Sequence, residues 1–196
     1  MVCMGYPNWF EISAIKYFEL VLPKRFAGKP LIDFLQIGAY TGDASEWMLD
    51  NIITDSSSWL TDVDTWCGSE ELVHKEFDWK QLENFYDERM SKYSNLCKIK
   101  DYSTNFLKDA ESEHYDFIYI DGDHIAEAVY MDAVLSWRCL KPNGIMAFDD
   151  YHWTHDSKNP ELSPKPGINK FLREYDGQYK FLIIDEQVWV SKNEQA

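Results

Sequence analysis

The sequence predicts an α/β fold: a doubly wound, mostly parallel sheet of about seven strands with helices on both faces. Three observations predict it. Short apolar runs alternate with helix-patterned segments from residue 31 onward, the order that builds parallel strands joined by helical crossovers. A glycine pair, Gly38 and Gly42, separates the first apolar run from the first helix of that alternation. Four apolar runs close in carboxylates, at Asp64, Asp101, Asp121 and Asp149, and in open sheets of this kind ligands bind beyond the carboxyl ends of the strands.

The elements follow in order. Residues 10–22, FEISAIKYFELVL, repeat apolar residues at helical spacing and predict a helix over one face of the sheet. GKPLIDFLQIG gives a turn and then the first strand, at about 31–37. TGDASEWMLDNII is a helix whose start Thr41 or Asp43 can cap. SSSWLTDVDTW is the second strand, ending near Asp64. Residues 68–94 are charged and helical, a crossover in two parts. NLCKIKDYS is the third strand, with a short helix from about Thr104. YDFIYIDG is the fourth, and 125–140 is its helix, with Asp123 a candidate cap. A Pro-Asn-Gly turn leads into the fifth strand, which ends GIMAFDD. Residues 152–167 hold three of the seven prolines and read as a loop or lid, ahead of the helix INKFLREY. YKFLIIDEQVWVSK is a terminal hairpin, so one of its strands must run antiparallel. The expected organisation is one domain over 1–196: a helical cover (1–30), a core (31–150), and a lid loop, helix and hairpin (151–196).

Composition narrows the function. The 196 residues carry a formal net charge of −15. Such a surface repels nucleic-acid phosphates and anionic membranes, so neither is an expected partner. No run reaches the roughly 18–20 apolar residues of a membrane span. The N-terminal stretch carries Glu11, Lys16 and Glu19 within its apolar run and is not a secretory signal. Cys3, Cys67, Cys97 and Cys139 lack CxxC spacing, which suits a reducing compartment; the expectation is a cytoplasmic protein.

The candidate chemistry sits at the strand ends. FLQIGAYTGDAS places glycines where a tight turn or a close backbone approach needs them, and the helix behind it offers free N–H groups. The spacing is G-x-x-x-G, not the G-x-G-x-x-G of dinucleotide sites, and an ordinary strand–helix turn explains it equally. Asp62 or Asp64 on the next strand can hold a ribose diol. Ser103, or a backbone group beside it, can read a base edge. His124 follows Asp121 by three residues and either does chemistry or, with Asp123, merely caps the next helix. His152 and His155 lie in the lid, while His74 and His114 read as surface. Trp9, Trp47, Trp137 and Trp189 read as core or core-edge, and Trp66 and Trp153 as candidate stacking partners for a ligand.

In this order, QIGAYTG, Asp64, YDFIYIDGDH and LKPNGIMAFDD resemble the motifs of class I S-adenosylmethionine-dependent methyltransferases, a Rossmann-like family. More narrowly they resemble small-molecule O-methyltransferases of the catechol and macrocin/sugar types, over roughly residues 31–190. The resemblance implies S-adenosylmethionine bound by Gln36, Gly38, Ala39, Tyr40, Thr41, Gly42, Asp62, Asp64, Tyr102, Ser103 and Asp121. It implies Mg²⁺ or another hard divalent cation at Asp121, Asp149 and Asp150, and His124 as general base, with Asp121 and His124 the catalytic pair on a small-molecule hydroxyl. Gln36 departs from the pattern, which usually has an acid there, and Asp150 stands where an Asn is common. The alternatives are a metal-independent methyltransferase using His124 alone, a cofactor-binding protein without catalysis, and a nucleotide-dependent oxidoreductase, which the missing fingerprint disfavours.

Overall fold

The computed structural model describes residues 5–69, 73–154 and 158–194. Cys3, His155 and the side chain of His74 lie outside what it describes. Seven strands form one sheet: β1 (Asp33–Ile37), β2 (Trp59–Asp64), β3 (Leu96–Lys100), β4 (Tyr115–Ile120), β5 (Leu140–Phe148), β6 (Tyr179–Ile184) and β7 (Val188–Lys192). Their order is β3-β2-β1-β4-β5-β7-β6. β1 to β5 run parallel, and β7 is antiparallel to both β5 and β6. The order reverses between β1 and β4, so the chain leaves a crevice at their carboxyl ends, the usual ligand position in such sheets.

Side chains alternate across the strands and build a core on each face. On one face Phe34, Phe117 and Trp189 pack under α1 (Ile15–Phe26), α2 (Asp43–Asn51) and α3 (Trp79–Met90), with Phe18 of α1 at the centre. On the other, Ile118, Met146 and Phe148 pack under α4 (Ser103–Asp109), α5 (Ala126–Cys139) and α6 (Pro164–Glu174). No helix among the described residues is long and apolar enough to cross a membrane.

Several local expectations are corrected. α1 continues past residue 22 to Phe26 and contains Pro23. α6 begins at Pro164 rather than Ile168, because Pro164 and Pro166 occupy its first turn, where a missing N–H costs nothing. The lid is shortened accordingly, and Pro160–Leu162 form a helical turn within it. β5 starts at Leu140, inside the stretch read as a turn. Its pairing with β4 jumps from Tyr115–Leu140 to Phe117–Ile145, so Lys141–Gly144 form an irregularity within the strand. Neither Thr41 nor Asp43 caps α2. The cap is Gly42, in the left-handed region at φ 81°. Asp123 does not cap α5 either; its carboxylate accepts the Ile125 N–H at 3.1 Å and braces the loop before the helix.

Candidate active site

Beyond the carboxyl ends of β1 to β4 lies a cleft of about 280 Å³. Each strand delivers one part of its lining: Gly38 and Tyr40 after β1, Asp64 at the end of β2, Asp101 to Thr104 after β3, and Asp121 to His124 after β4. Trp9 and Trp79 add an aromatic wall. Trp9, expected in the core or at its edge, is 38% exposed and stacks on Tyr40 at 4.8 Å between centroids.

Gly38 is required by the protein's own backbone. Its φ is 86°, and a Cβ there would lie 1.9 Å from the carbonyl oxygen of Asp121. The turn therefore lies directly on the end of β4, which brings the β1 and β4 loops together at the cleft floor. Asp64 fixes the same turn. Its Oδ2 accepts the N–H groups of Ala39 (2.8 Å) and Tyr40 (2.9 Å), and its Oδ1 accepts that of Trp66 (2.7 Å). An ionised carboxylate has about four acceptor sites, so one remains on Oδ1 for a ligand hydroxyl.

Five residues expected to touch the cofactor do not line the cleft: Gln36 and Asp62 behind the turn, and Ala39, Thr41 and Gly42 within it. Gln36 donates from Nε2 to the carbonyl of Gly38 at 2.8 Å, so the amide that replaces the usual acid acts as an internal brace. Asp62 is fully buried; its Oδ2 accepts from Ser45 (2.6 Å) and Tyr86 (2.7 Å). Burial pushes its carboxyl up to about 7 against those two hydrogen bonds, and the charge of Asp64 adds to the rise. Gly42 packs against Met90 and Tyr86 of α3. Arg89 of α3 ties the start of α2 down through Asp43 and Glu46, both at 2.6 Å. Trp66 is also internal: it is 2% exposed, packs on Tyr86, and donates to the Tyr40 carbonyl.

At the rim, β4 and β5 are hydrogen-bonded neighbours, and their ends bring Asp121, His124 and Asp150 together. One ligand atom from each lies within 4.8 Å of the others. His124 Nε2 is 3.1 Å from Asp150 Oδ2 and 3.8 Å from Asp121 Oδ1. Burial, then the charges of Asp149 and Asp150, push the Asp121 carboxyl up, while His124 pulls it back. Asp150 sits in the left-handed region at φ 54°. Asp149 does not join the cluster, contrary to expectation. Its Oδ2 accepts from the buried Tyr119 hydroxyl, and its Oδ1 from the Asp150 N–H at 2.7 Å. Trp153 packs on the His124 ring at 4.8 Å. His152 lies 3.3 Å from Lys165, away from the cluster.

Of the cleft residues that went unread in the sequence, Trp79 and Asp132 among them, the second carries a charge. Asp132 of α5 lines the cleft, is 3% exposed, and accepts from Ser103 Oγ at 2.6 Å. The signal was present: Asp132 falls on the stripe Ala126, Val129, Ala133, Ser136, Trp137 that α5 buries, and a carboxylate on a buried stripe demands a reason.

The family follows from this architecture. Residues 35–151 match the methyltransferase domain family, and the chain belongs to it. Within that class, the chain is 29% identical over 167 residues to a probable caffeoyl-CoA O-methyltransferase 3 of Dictyostelium discoideum, covering 82% of this chain and 61% of that one. It thus spans about three fifths of that relative's length. Among solved structures, an O-methyltransferase from Bacillus cereus in complex with SAH superposes with a TM-score of 0.65 at 13% identity, covering 98% and 94% of the two chains. A SAH-bound methyltransferase from Podospora anserina gives 0.62 at 17% identity, covering 90% of this chain and 76% of its own. At these identities the likeness is one of fold, and the fold is that of class I S-adenosylmethionine-dependent methyltransferases.

Proposed function

We propose that this chain transfers a methyl group from S-adenosylmethionine to a hydroxyl of a small molecule, with a hard divalent cation held by Asp121, His124 and Asp150. The observation that carries the reading is that three-residue cluster, set at the rim of a cleft whose floor is the Gly38 turn and Asp64. The donor set fits such a cation. Two carboxylates suit Mg²⁺ or Mn²⁺, and the imidazole moves the preference toward Mn²⁺. The cation would hold the acceptor hydroxyl and lower its pKa, and the methyl donor brings the electrophilic carbon.

The chain's own residues do the rest. The open acceptor site on Asp64 Oδ1 takes a ribose hydroxyl, and the amides it already holds keep the Gly38 turn in place. Trp9 and Tyr40 exclude water along one wall. Tyr119 and the Asp150 N–H hold the Asp149 carboxylate out of the ligand cluster, although its charge still reaches Asp121, so that two carboxylates rather than three face the cation.

The 3.1 Å contact between His124 Nε2 and Asp150 favours a second reading, in which His124 takes the hydroxyl proton without a metal and Asp150 stabilises the imidazolium formed. One assay separates them. Methyl transfer to a panel of hydroxyl acceptors is followed after exhaustive chelation; caffeoyl-CoA belongs in the panel because the relative bears that name. Activity lost on chelation and restored by Mn²⁺ or Mg²⁺ supports the cation. Activity that survives chelation but falls roughly 10²–10⁴-fold in His124→Ala supports the base. Cofactor binding without transfer to any acceptor leaves a binding protein and refutes both.

A further inference from the structure

Asp62 is a fully buried acid that lies outside the cleft and takes no part in the chemistry above. We propose that Asp62 is a positioning residue for the cofactor turn: its neutral carboxyl passes a hydrogen bond through Ser45 and Gln36 to the carbonyl of Gly38, and its ionised form breaks that chain. This rests on the reading that S-adenosylmethionine binds on the Gly38 turn.

A count of hydrogens carries it. Gln36 and Asp62 are register partners on β1 and β2, and Ser45 of α2 reaches both. Its Oγ is 2.6 Å from Asp62 Oδ2 and 3.2 Å from Gln36 Oε1. A serine hydroxyl has one hydrogen, so it serves one of these oxygens at a time. An ionised Asp62 takes that hydrogen. Gln36 is buried, and Ser45 is the donor to its Oε1 among the described residues. An amide oxygen left there without a donor is costly. The amide can recover only by turning, which withdraws Nε2 from the Gly38 carbonyl that it holds at 2.8 Å. A neutral Asp62 reverses the order: its hydroxyl donates to Ser45, Ser45 to Gln36 Oε1, and Gln36 Nε2 to Gly38, each link polarising the next. Tyr86 anchors the carboxyl from α3 at 2.7 Å, while Asp62 Oδ1 has no hydrogen-bond partner among the described residues, so the ionised form is poorly held. The neighbouring charges do little to rescue it. Lys98, its register partner on β3, is engaged by Glu83 and Asp87 of α3, and Asp43 and Glu46 of α2 are engaged by Arg89 of α3. Burial, with the charge of Asp64 adding to it, raises the Asp62 carboxyl to about 7 against the hydrogen bonds from Ser45 and Tyr86. Both forms are therefore within reach near neutral pH.

The test is the calorimetric affinity for S-adenosylhomocysteine at about pH 5.5 and about pH 8.5, on either side of the Asp62 titration. A ligand that needs the turn in place binds the neutral form better, so wild-type affinity falls as pH rises. Asp62→Asn keeps an uncharged donor facing Ser45 at every pH. Other groups of the cleft titrate alike in both proteins, so the ratio of the two affinities is the readout. The wild type should match Asp62→Asn at the lower pH and bind roughly 5–10-fold more weakly than it at the higher. A role in packing alone would shift Asp62→Asn equally at both pH values, so a constant ratio overturns the proposal. Ser45→Ala removes the shared hydrogen and keeps the acid. Its ratio to Asp62→Asn should not change with pH; a change as large as the wild type's would show that the Asp62 charge acts through space, and overturns the relay. Should Asp62→Asn not fold, the wild type is compared with Ser45→Ala. The wild-type advantage should then shrink as pH rises, and an advantage that stays constant overturns the proposal. A wild-type protein that binds no S-adenosylhomocysteine at either pH defeats the cofactor reading and the relay with it, whereas binding with a constant ratio defeats only the role of Asp62.

Discussion

Asp62 is a carboxylate without solvent: one oxygen is held by Ser45 and Tyr86, and Oδ1 has no hydrogen-bond partner. Burial raises it to about 7, against about 3.9 in an unfolded chain. A raised carboxyl pKa means that the native state binds the proton more tightly. The stability this contributes is complete below about pH 4 and is lost as pH rises through about 7. Asp62→Asn is neutral throughout and keeps the same shape. Its stability relative to wild type should therefore improve between pH 5 and pH 8, by on the order of a few kcal/mol. Urea unfolding at the two pH values checks this; a difference that does not change with pH would mean that Asp62 is ionised at both. The same residue shows what a strand-end motif leaves unsaid. Asp62 and Asp64 are two apart and share a face of the sheet, so the sequence offered both as ribose acids. Depth separates them. Asp62 pairs in register with Gln36 inside the sheet, beneath a serine of α2 and a tyrosine of α3, whereas Asp64 lies at the turn. Asp149 and Asp150 divide in the same way, through a tyrosine on the neighbouring strand. These partners come from other elements, so no local pattern announces them.

At the scale of elements, two glycines with similar backbone angles should respond differently to a methyl group. Gly38 at φ 86° would press its Cβ into the Asp121 carbonyl, while Gly177 at φ 80° has nothing within 4 Å. Gly177→Ala should cost about 1–2 kcal/mol, the price of a left-handed backbone alone. Gly38→Ala should cost roughly 3 kcal/mol or more, because backbone must move against backbone. Denaturant unfolding of both variants measures the gap, and equal losses would show that the β1 turn and the β4 end are not in contact. Loss of cofactor binding in a Gly38 variant therefore cannot by itself locate the cofactor. The strands were legible because β-branched and aromatic runs bounded by turn residues have few other outcomes. Boundaries failed where a residue has two uses. Proline breaks a helix in its interior but suits its first turn, and so α6 starts at Pro164, four residues ahead of the expected position.

For the whole molecule, a net charge of −15 makes the native state self-repulsive, so any added salt should stabilise it by screening. A specific cation site adds a separate effect, and the two can be told apart. A ligand that binds only the native state stabilises it in proportion to the logarithm of its concentration over Kd, about 2.7 kcal/mol at one hundred times Kd. For a chain of this size that is a rise in Tm of roughly 5–10 °C. MnCl2 or MgCl2 should therefore raise Tm beyond NaCl of equal ionic strength. The excess should vanish in Asp150→Asn, which takes away a ligand and one charge of the Asp121, His124, Asp150 cluster. The same substitution should raise Tm in the absence of divalent cation, because it removes one of the charges that, after burial and the charge of Asp149, lift the Asp121 carboxyl. Opposite signs with and without cation are what the metal reading predicts and a structural ion pair forbids. If His124 and Asp150 serve only as an ion pair, Asp150→Asn lowers Tm in both buffers, and divalent salts act no differently from NaCl.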